Sequence, residues 1–405
     1  MPEITFITKE EIHDFRQAVS AGFGGDASDG DGEDERFLSV FPLETCFAAF
    51  DHGRMVGTFG SFDLELTVPG GSVPMAGTTV VTVHPAYRRR GLLTEMMRIH
   101  LDQAKDRGQP VAGLWASEVR IYGRYGYGIA AESYELEVDG SSVSAPRGPD
   151  DVVVRPIAIA DAAELLPRAF EAVCQATPGF FARSDAWWAA RNLHDPESWR
   201  GGASAKRVVV AEIAGQVEGY ILYRQKEKWE SFVSNGSVDV IELVASSDGV
   251  RRSLWHYITN VDLFSNVSYW NTALDDPVID EIDNRRALTI KPFDTLWVRL
   301  LDVPAALQTR RYETDGQVRF AVTDDFLGRS EIYDLSVIDG EASCVASDGV
   351  PELEMDISVL GSIYLGGLSV WRHQRAGRIA GDHQAVGTLD RVFRTHRSPH
   401  CLEVF

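Results

Sequence analysis

The stretch from Val81 to Leu93 constrains this chain more than any other. It reads Val81-Thr82-Val83-His84-Pro85-Ala86-Tyr87-Arg88-Arg89-Arg90-Gly91-Leu92-Leu93. A β-branched run stops at a proline, which cannot donate to a sheet ladder. Three arginines and a glycine follow. Leu92, Leu93, Met96, Met97, His100 and Leu101 then recur at the period of an amphipathic helix over Gly91–Arg107. A strand that passes directly into a helix belongs in an α/β unit. The junction is also an anion cradle. A helix N-terminus offers unpaired N–H groups and the positive end of the dipole. Gly91 permits close backbone approach, and Arg88, Arg89 and Arg90 supply charge-assisted donors for phosphate.

The surrounding sequence extends the unit. Ile4–Thr8 reads as a strand and Lys9–Ala21 as a helix behind a threonine cap. Gly22–Glu35 reads as an exposed loop of glycines and acidic residues. Thr45–Asp51 and Met55–Val68 alternate as strands around the turn Asp51-His52-Gly53-Arg54, and Met75–Val83, Val111–Ala116 and Tyr134–Val138 complete the set. Asp139–Asp151, rich in Gly, Ser, Pro and Asp, reads as a linker. Beyond it the same order returns: strand Val152–Ile157, helix Ala160–Gln175, paired strands Arg207–Arg224, strand Val238–Ala245, helix Ser253–Val261. No residue-level repeat accompanies it. A third region starts near Trp297 and ends in a helical stretch before Leu402-Glu403-Val404-Phe405. At 405 residues the chain exceeds the usual size of a single core, so several domains are expected.

Charge and composition limit the partners. Thirty-nine basic against sixty acidic residues give −21, a field that repels nucleic acid and anionic lipid and suits a cationic small molecule or basic peptide. No apolar run approaches the ~20 residues of a spanning helix, and Met1-Pro2-Glu3-Ile4-Thr5 does not open a signal peptide. Four scattered cysteines without a CxxC pair argue for a reducing cytoplasm and against structural zinc. His396 and His400 are interrupted by Pro399 and have no carboxylate companion, so no metal is assigned. No Walker loop or dinucleotide fingerprint occurs.

Arg88 to Leu93 resembles the acetyl-CoA-binding motif of the GNAT N-acetyltransferases, Q/R-x-x-G-x-G/A, with Arg88 and Gly91 in register and Leu93 at the third small position. The form R-R-R-G-L-L is closer to the Eis-type (enhanced intracellular survival) aminoglycoside and lysine acetyltransferases. Two further segments resemble that subfamily: Ala116-Ser117-Glu118 with Ile121 through Gly128, and Met355 with Leu360 through Gly366. The resemblance implies an α/β (α+β) chain of two tandem GNAT folds, residues 1–145 and a degenerate 146–292, followed by a sterol-carrier-like α+β domain at 293–405. It implies a homohexamer as well.

Carried over by position, Val81, Thr82 and Val83 line the pantetheine arm. Arg88, Arg89, Arg90, Gly91, Leu92, Leu93 and Thr94 hold the pyrophosphate, with Ser117 and Glu118 close to the cofactor. Tyr122 is the general acid and the free carboxylate of Phe405 the base. From spacing alone, tyrosines among glycines read as packing plugs, and Tyr125 and Tyr127 are the residues most easily confused with Tyr122. Glu118 and His84 are the alternative bases. The acidic loop (Asp26, Asp29, Asp31, Glu33, Asp34) suits either solvent or a polycationic amine, and Phe23 and Phe37 flank it as possible pocket walls. In the second unit the arginines of Ser246-Ser247-Asp248-Gly249-Val250-Arg251-Arg252 follow the glycine, so that unit reads as catalytically silent. The expected activity is acetyl-CoA-dependent N-acetylation of aminoglycoside-like amines by direct transfer. Protein-lysine or polyamine acetylation, or acyl-CoA or lipid binding without catalysis, are the alternatives.

Overall fold

The computed structural model describes residues 2–26 and 32–405. Along its first stretch lie β1 (Glu3–Phe6), α1 (Ile12–Gly22), α2 (Glu33–Leu38), β2 (Phe47–Asp51), β3 (Arg54–Val68), β4 (Gly71–Val83), α3 (Leu92–Asp106), β5 (Val111–Trp115), α4 (Val119–Tyr122) and β6 (Gly128–Ile129). Local chemistry accounts for several of these boundaries. Thr8 and Glu11 form a capping box ahead of α1. His52 and Gly53, at φ 50° and 75°, make the left-handed turn that a β2–β3 hairpin favours. The helical stripe of α3 buries Leu92, Met96, Met97, His100, Leu101 and Ala104.

The second stretch carries β7 (Glu132–Asp139), β8 (Val152–Ile157), α5 (Ile159–Cys174), α6 (Asp185–Trp187), β9 (Arg207–Ile213), β10 (Gln216–Lys226), the small hairpin β11 (Trp229–Glu230) and β12 (Val233–Ser234), β13 (Gly236–Ala245), α7 (Asp248–Thr259), β14 (Phe264–Ala273), α8 (Val278–Glu281) and β15 (Leu288–Asp294). The third adds β16 (Leu296–Leu300), α9 (Val303–Thr309), β17 (Gly316–Asp324), β18 (Arg329–Ile338), β19 (Glu341–Ala346), β20 (Leu353–Asp356), α10 (Ile357–Ile363), α11 (Val370–Arg375), β21 (Ile379–Gly381) and α12 (His383–Phe393).

Two seven-stranded sheets share one design. Their orders are β1-β2-β3-β4-β5-β16-β6 and β15-β7-β14-β13-β10-β9-β8, and each holds a single parallel pair, β4–β5 or β13–β14, bridged by a helix. The third sheet, β19-β18-β17-β20-β21, has α12 against β17. The expected architecture of two GNAT folds and a sterol-carrier-like domain is what the chain adopts.

Two strands lie elsewhere than the sequence suggested. The strand read as closing the first unit, β7, pairs with β14 and β15 in the second sheet, where Leu136 and Val138 join that core. β16, read as the start of the third region, pairs with β5 and β6 in the first sheet. All five of its residues are buried, as suits a strand covered on both faces. By contact density the chain forms two compact units. One comprises the chain up to Ala131 with Thr295–Pro399 and Glu403–Phe405, and the other Glu132–Asp294 with His400–Leu402.

Candidate active site

The site is built where β4 leaves β5. Their parallel pairing runs only from Met75↔Val111 to Thr78↔Leu114, yet β4 continues to Val83 against β3. The β3–β4 register slips between Thr58↔Thr82 and Gly60↔Thr79, and Val80 sits at φ 46°, marking a bulge. Thr58 Oγ1 donates to the Val80 carbonyl at 2.7 Å and lies 2.7 Å from Thr82 Oγ1. Val81, Thr82 and Val83 therefore form half-buried extended backbone whose β5 side carries no paired strand, a wedge into which an extended amide-bearing arm fits.

The arginine loop closes the wide end of this wedge. Arg89 at φ 61° and Gly91 at φ 84° put alternating left-handed residues ahead of α3, a backbone geometry that turns N–H groups toward one point. Among the described residues no side chain caps the fifteen-residue α3, and the space where a Gly91 Cβ would stand is open. Arg88, Arg89 and Arg90 are exposed. Arg88 Nε donates to the Val83 carbonyl at 3.1 Å, tying the loop to the wedge. The Arg90 guanidinium lies 5.4 Å over the Tyr87 ring, whose hydroxyl donates to Asp51 at 2.5 Å. This chemistry fits a pyrophosphate bound through main-chain N–H groups and guanidinium charge.

On the β5 side, Ser117 and Glu118 are exposed and lead into α4, whose last residue is Tyr122, 6% exposed. Burial pushes the Tyr122 phenol up to about 12, against a hydrogen bond from Ser117, so it is protonated at neutral pH. The structure separates the three tyrosines by their partners. Tyr125 Oη lies 3.3 Å from Thr94 Oγ1 in the first turn of α3. Tyr127, fully buried, lies 2.9 Å from Thr78 Oγ1, which is 2.8 Å from His100 Nε2. The Tyr122 and Tyr127 rings meet edge-on at 6.2 Å. Sequence reasoning missed Thr78 and gave His100 only a packing role. Burial, then the Arg299 charge, lowers His100 to about 3, so the imidazole is neutral.

Phe405 is 8% exposed, its ring 6.5 Å from Phe62 and directly above Gly77, the neighbour of Thr78. Phe62 and Gly77 are register partners across β3 and β4. A line of rings continues from Phe62 to Phe41 at 4.1 Å and from Phe41 to Phe37 at 4.0 Å, bringing one expected pocket wall to the terminal residue. Phe23 is 57% exposed just beyond α1, whose Gly22 abuts Thr82 so closely that a Cβ would overlap its Cγ2. Asp26 is exposed, and Asp29 and Asp31 lie outside the described residues. Glu33 and Asp34 are not loop residues. They open α2 and pair with Arg16 and Arg36, which draws their charge inward. His84, an alternative base, uses Nδ1 to accept from the Ala86 N–H at 3.3 Å. Among the described residues no three His, Cys, Asp or Glu side chains gather as metal ligands, and no helix is long and apolar enough to cross a membrane.

The second sheet has a parting pair of its own, filled by its own side chains. Past Val240↔Tyr269, Leu243 N–H donates to Tyr269 Oη at 3.3 Å and Trp270 Nε1 donates to the Ile241 carbonyl at 3.0 Å. Ser247 caps α7 by accepting from Val250 N–H, while Arg251 pairs with Asp276 and Arg252 with Glu281. The same unit holds His400–Leu402. His400 Nε2 lies 3.1 Å from Asn271 Oδ1, and Asn271 Nδ2 donates to the Cys401 carbonyl at 2.8 Å.

A bulged strand parting from its parallel neighbour before a phosphate-receptive helix start defines an N-acetyltransferase of the GNAT class. The acetyltransferase (GNAT) domain matches residues 3–130 and again 179–300, and the sterol carrier protein domain matches 303–402. An uncharacterized N-acetyltransferase of Streptomyces avermitilis is 38% identical over 381 residues, 93% of each chain. N-acetyltransferase Eis of Mycobacterium tuberculosis is 34% identical over 352 residues, 84% of this chain and 83% of its own. The crystal structure of Eis1 from Mycobacterium abscessus superposes with a TM-score of 0.86 at 28% identity, covering both chains fully. The chain belongs to the Eis-type GNAT N-acetyltransferases. GNAT acetyltransferases take their acetyl group from acetyl-CoA.

Proposed function

We propose that this enzyme acetylates amino groups of aminoglycoside-like polycationic substrates by direct transfer from acetyl-CoA, with Tyr122 as acid and the Phe405 carboxylate as base. What supports the reading is that both groups reach β4 at the residues where it parts from β5. Thr78, the last residue paired with β5, has the Tyr127–Tyr122 contact on one side, and its neighbour Gly77 has the Phe405 ring on the other. In this reading Val81 to Val83 hold the pantetheine arm, and Arg88 to Thr94 hold the pyrophosphate, with Ser117 and Glu118 beside the thioester. Phe23, Asp26 and Phe37 border the amine pocket.

The Phe405 carboxylate takes a proton from the incoming ammonium, and the freed amine forms the N–C bond as the C–S bond breaks. Tyr122 gives its proton to the departing sulfur and is reprotonated by the second proton that the nitrogen sheds. One proton is released per turnover. Buried, protonated Tyr122 suits donation to a thiolate. Homohexameric assembly, which the family resemblance implies, and a cytoplasmic setting, which the scattered cysteines favour, belong to the same proposal.

The test is thiol release from acetyl-CoA by protein with a native C-terminus, offered kanamycin, spermidine and a lysine peptide in parallel. Turnover selective for kanamycin is expected. Turnover confined to the peptide or to spermidine would reassign the substrate, and silence with acetyl-CoA still bound would overturn the reading.

A further inference from the structure

Arg299 is the fourth of the five residues of β16, with none of its side chain exposed. Its Nη2 donates to Asp324 Oδ2 at 2.5 Å, and its Nη1 donates to the backbone carbonyl of Tyr125, while Nε has no partner among the described residues. Asp324 ends β17 in the sterol-carrier-like region and is 3% exposed. Its Oδ1 accepts from Leu327 N–H at 3.2 Å, and Oδ2 lies 3.4 Å from Arg329 Nε. The Phe326 ring fills the remaining side, 5.9 Å from the Arg299 guanidinium and 5.0 Å from the Tyr125 ring.

A buried ion pair that leaves one donor unsatisfied is a poor source of stability; well-packed apolar residues of similar volume commonly do as well or better. Its geometry accounts for its place here. The held carbonyl belongs to the turn that follows Tyr122, in which Gly126 N–H donates to Gly123 O at 3.0 Å and Tyr127 N–H donates to Tyr122 O at 3.3 Å. Gly126 is at φ 80°, and a Cβ there would fall 1.8 Å from Arg299 Nη1, so the turn is shaped around the guanidinium. At its far end, a Cβ on Gly128 would fall 1.8 Å from the Ser358 carbonyl of α10.

We infer that Arg299, neutralised by Asp324, is the positioning residue of the acid-bearing turn. The sterol-carrier-like region thereby governs transfer at Tyr122 as well as carrying the terminal carboxylate. The inference rests on Tyr122 being the acid.

The experiment uses the full-length enzyme with acetyl-CoA and whichever of kanamycin, spermidine or lysine peptide it turns over best. The double variant Arg299→Met with Asp324→Asn removes both charges, so a melting temperature near that of the native enzyme is expected. Its kcat should fall at least about tenfold with KM for acetyl-CoA unchanged. Arg299→Lys, which keeps the charge but not the fork, should lie between, with faster amide exchange over residues 119–128. This variant decides the matter should the double variant fail to fold. Native kcat and native exchange in Arg299→Lys, or native kcat in a folded double variant, would overturn the inference while Tyr122→Phe remains impaired. Native turnover by Tyr122→Phe would instead overturn the acid assignment beneath it.

Discussion

A Cβ on Gly77 would stand 3.3 Å from Cε2 of Phe405, so the glycine leaves the space that the terminal ring fills. It would also stand 2.7 Å from Leu64 Cδ1, so this face of β4 has no room for a larger residue. Gly77→Val should push the ring, and with it the carboxylate, off the site. We expect kcat to fall roughly 10- to 100-fold while calorimetry finds acetyl-CoA binding intact. Native kcat in this variant would mean that the ring does not orient the base.

The same seat makes the chain end chemically exposed to engineering. Two or three residues appended after Phe405 convert its carboxylate to an amide, which cannot take a proton near neutral pH. Turnover should be abolished with little loss of acetyl-CoA affinity. Phe405→Leu, which keeps the carboxylate but not the ring, should retain more activity than the extended chain. Equal rates for native and extended proteins would rule out the terminal base.

How far the sequence revealed this site follows the range of the interactions. Arg88 to Gly91 were legible because strand end, arginines, glycine and helix start are neighbours in the chain. The Asp51–Arg54 turn was legible for the same reason. The pairing of Thr78 with His100 and Tyr127 was not, because its members are 22 and 49 residues apart and each is an ordinary strand or helix residue locally. The exchange of β7 and β16 was equally hidden. An alternating Leu136/Val138 strand fits either sheet, and only pairing across the chain decides. Glu33 and Asp34 were read as free loop charge because their partner Arg16 sits in another helix.

The arginine loop should govern donor affinity rather than rate. Arg89→Ala and Arg90→Ala each remove an exposed guanidinium from the cradle, and Gly91→Val forces a β-branched residue into the left-handed region. KM for acetyl-CoA should rise roughly tenfold in each, with kcat nearly unchanged, because the contact is present in ground and transition states alike. Raising ionic strength should weaken native binding more than binding by the arginine variants. An unchanged KM in all three would place the pyrophosphate elsewhere.

Acid should destabilise the fold. Burial, reinforced by nearby arginines, lowers His100 and His400 to about 3 and His373 to about 4, from an ordinary 6.5. The unfolded chain therefore binds more protons between these values. The stability from keeping the rings neutral is complete above pH 6.5 and is lost as pH falls through the window. Each histidine contributes a slope of about 1.4 kcal/mol per pH unit there. Calorimetric melting temperatures should drop from pH 7 to pH 5, and His100→Gln should make the dependence shallower by about one proton. A flat melting profile over that range would contradict the neutral, buried state of these rings.

The second GNAT fold should bind no acetyl-CoA. In the first, β4 runs on past its partner with a bulge at Val80, while in the second, Trp270 Nε1 and Tyr269 Oη already occupy β13 main-chain groups just past the parting. Arg251 and Arg252 are engaged by Asp276 and Glu281 instead of facing a phosphate. Calorimetry should therefore count one acetyl-CoA per chain. The three substitutions in the arginine loop combined should abolish that single binding event without revealing a weaker second one. A stoichiometry of two, or residual binding lost only on Trp270→Ala, would restore a ligand-binding role to the second fold.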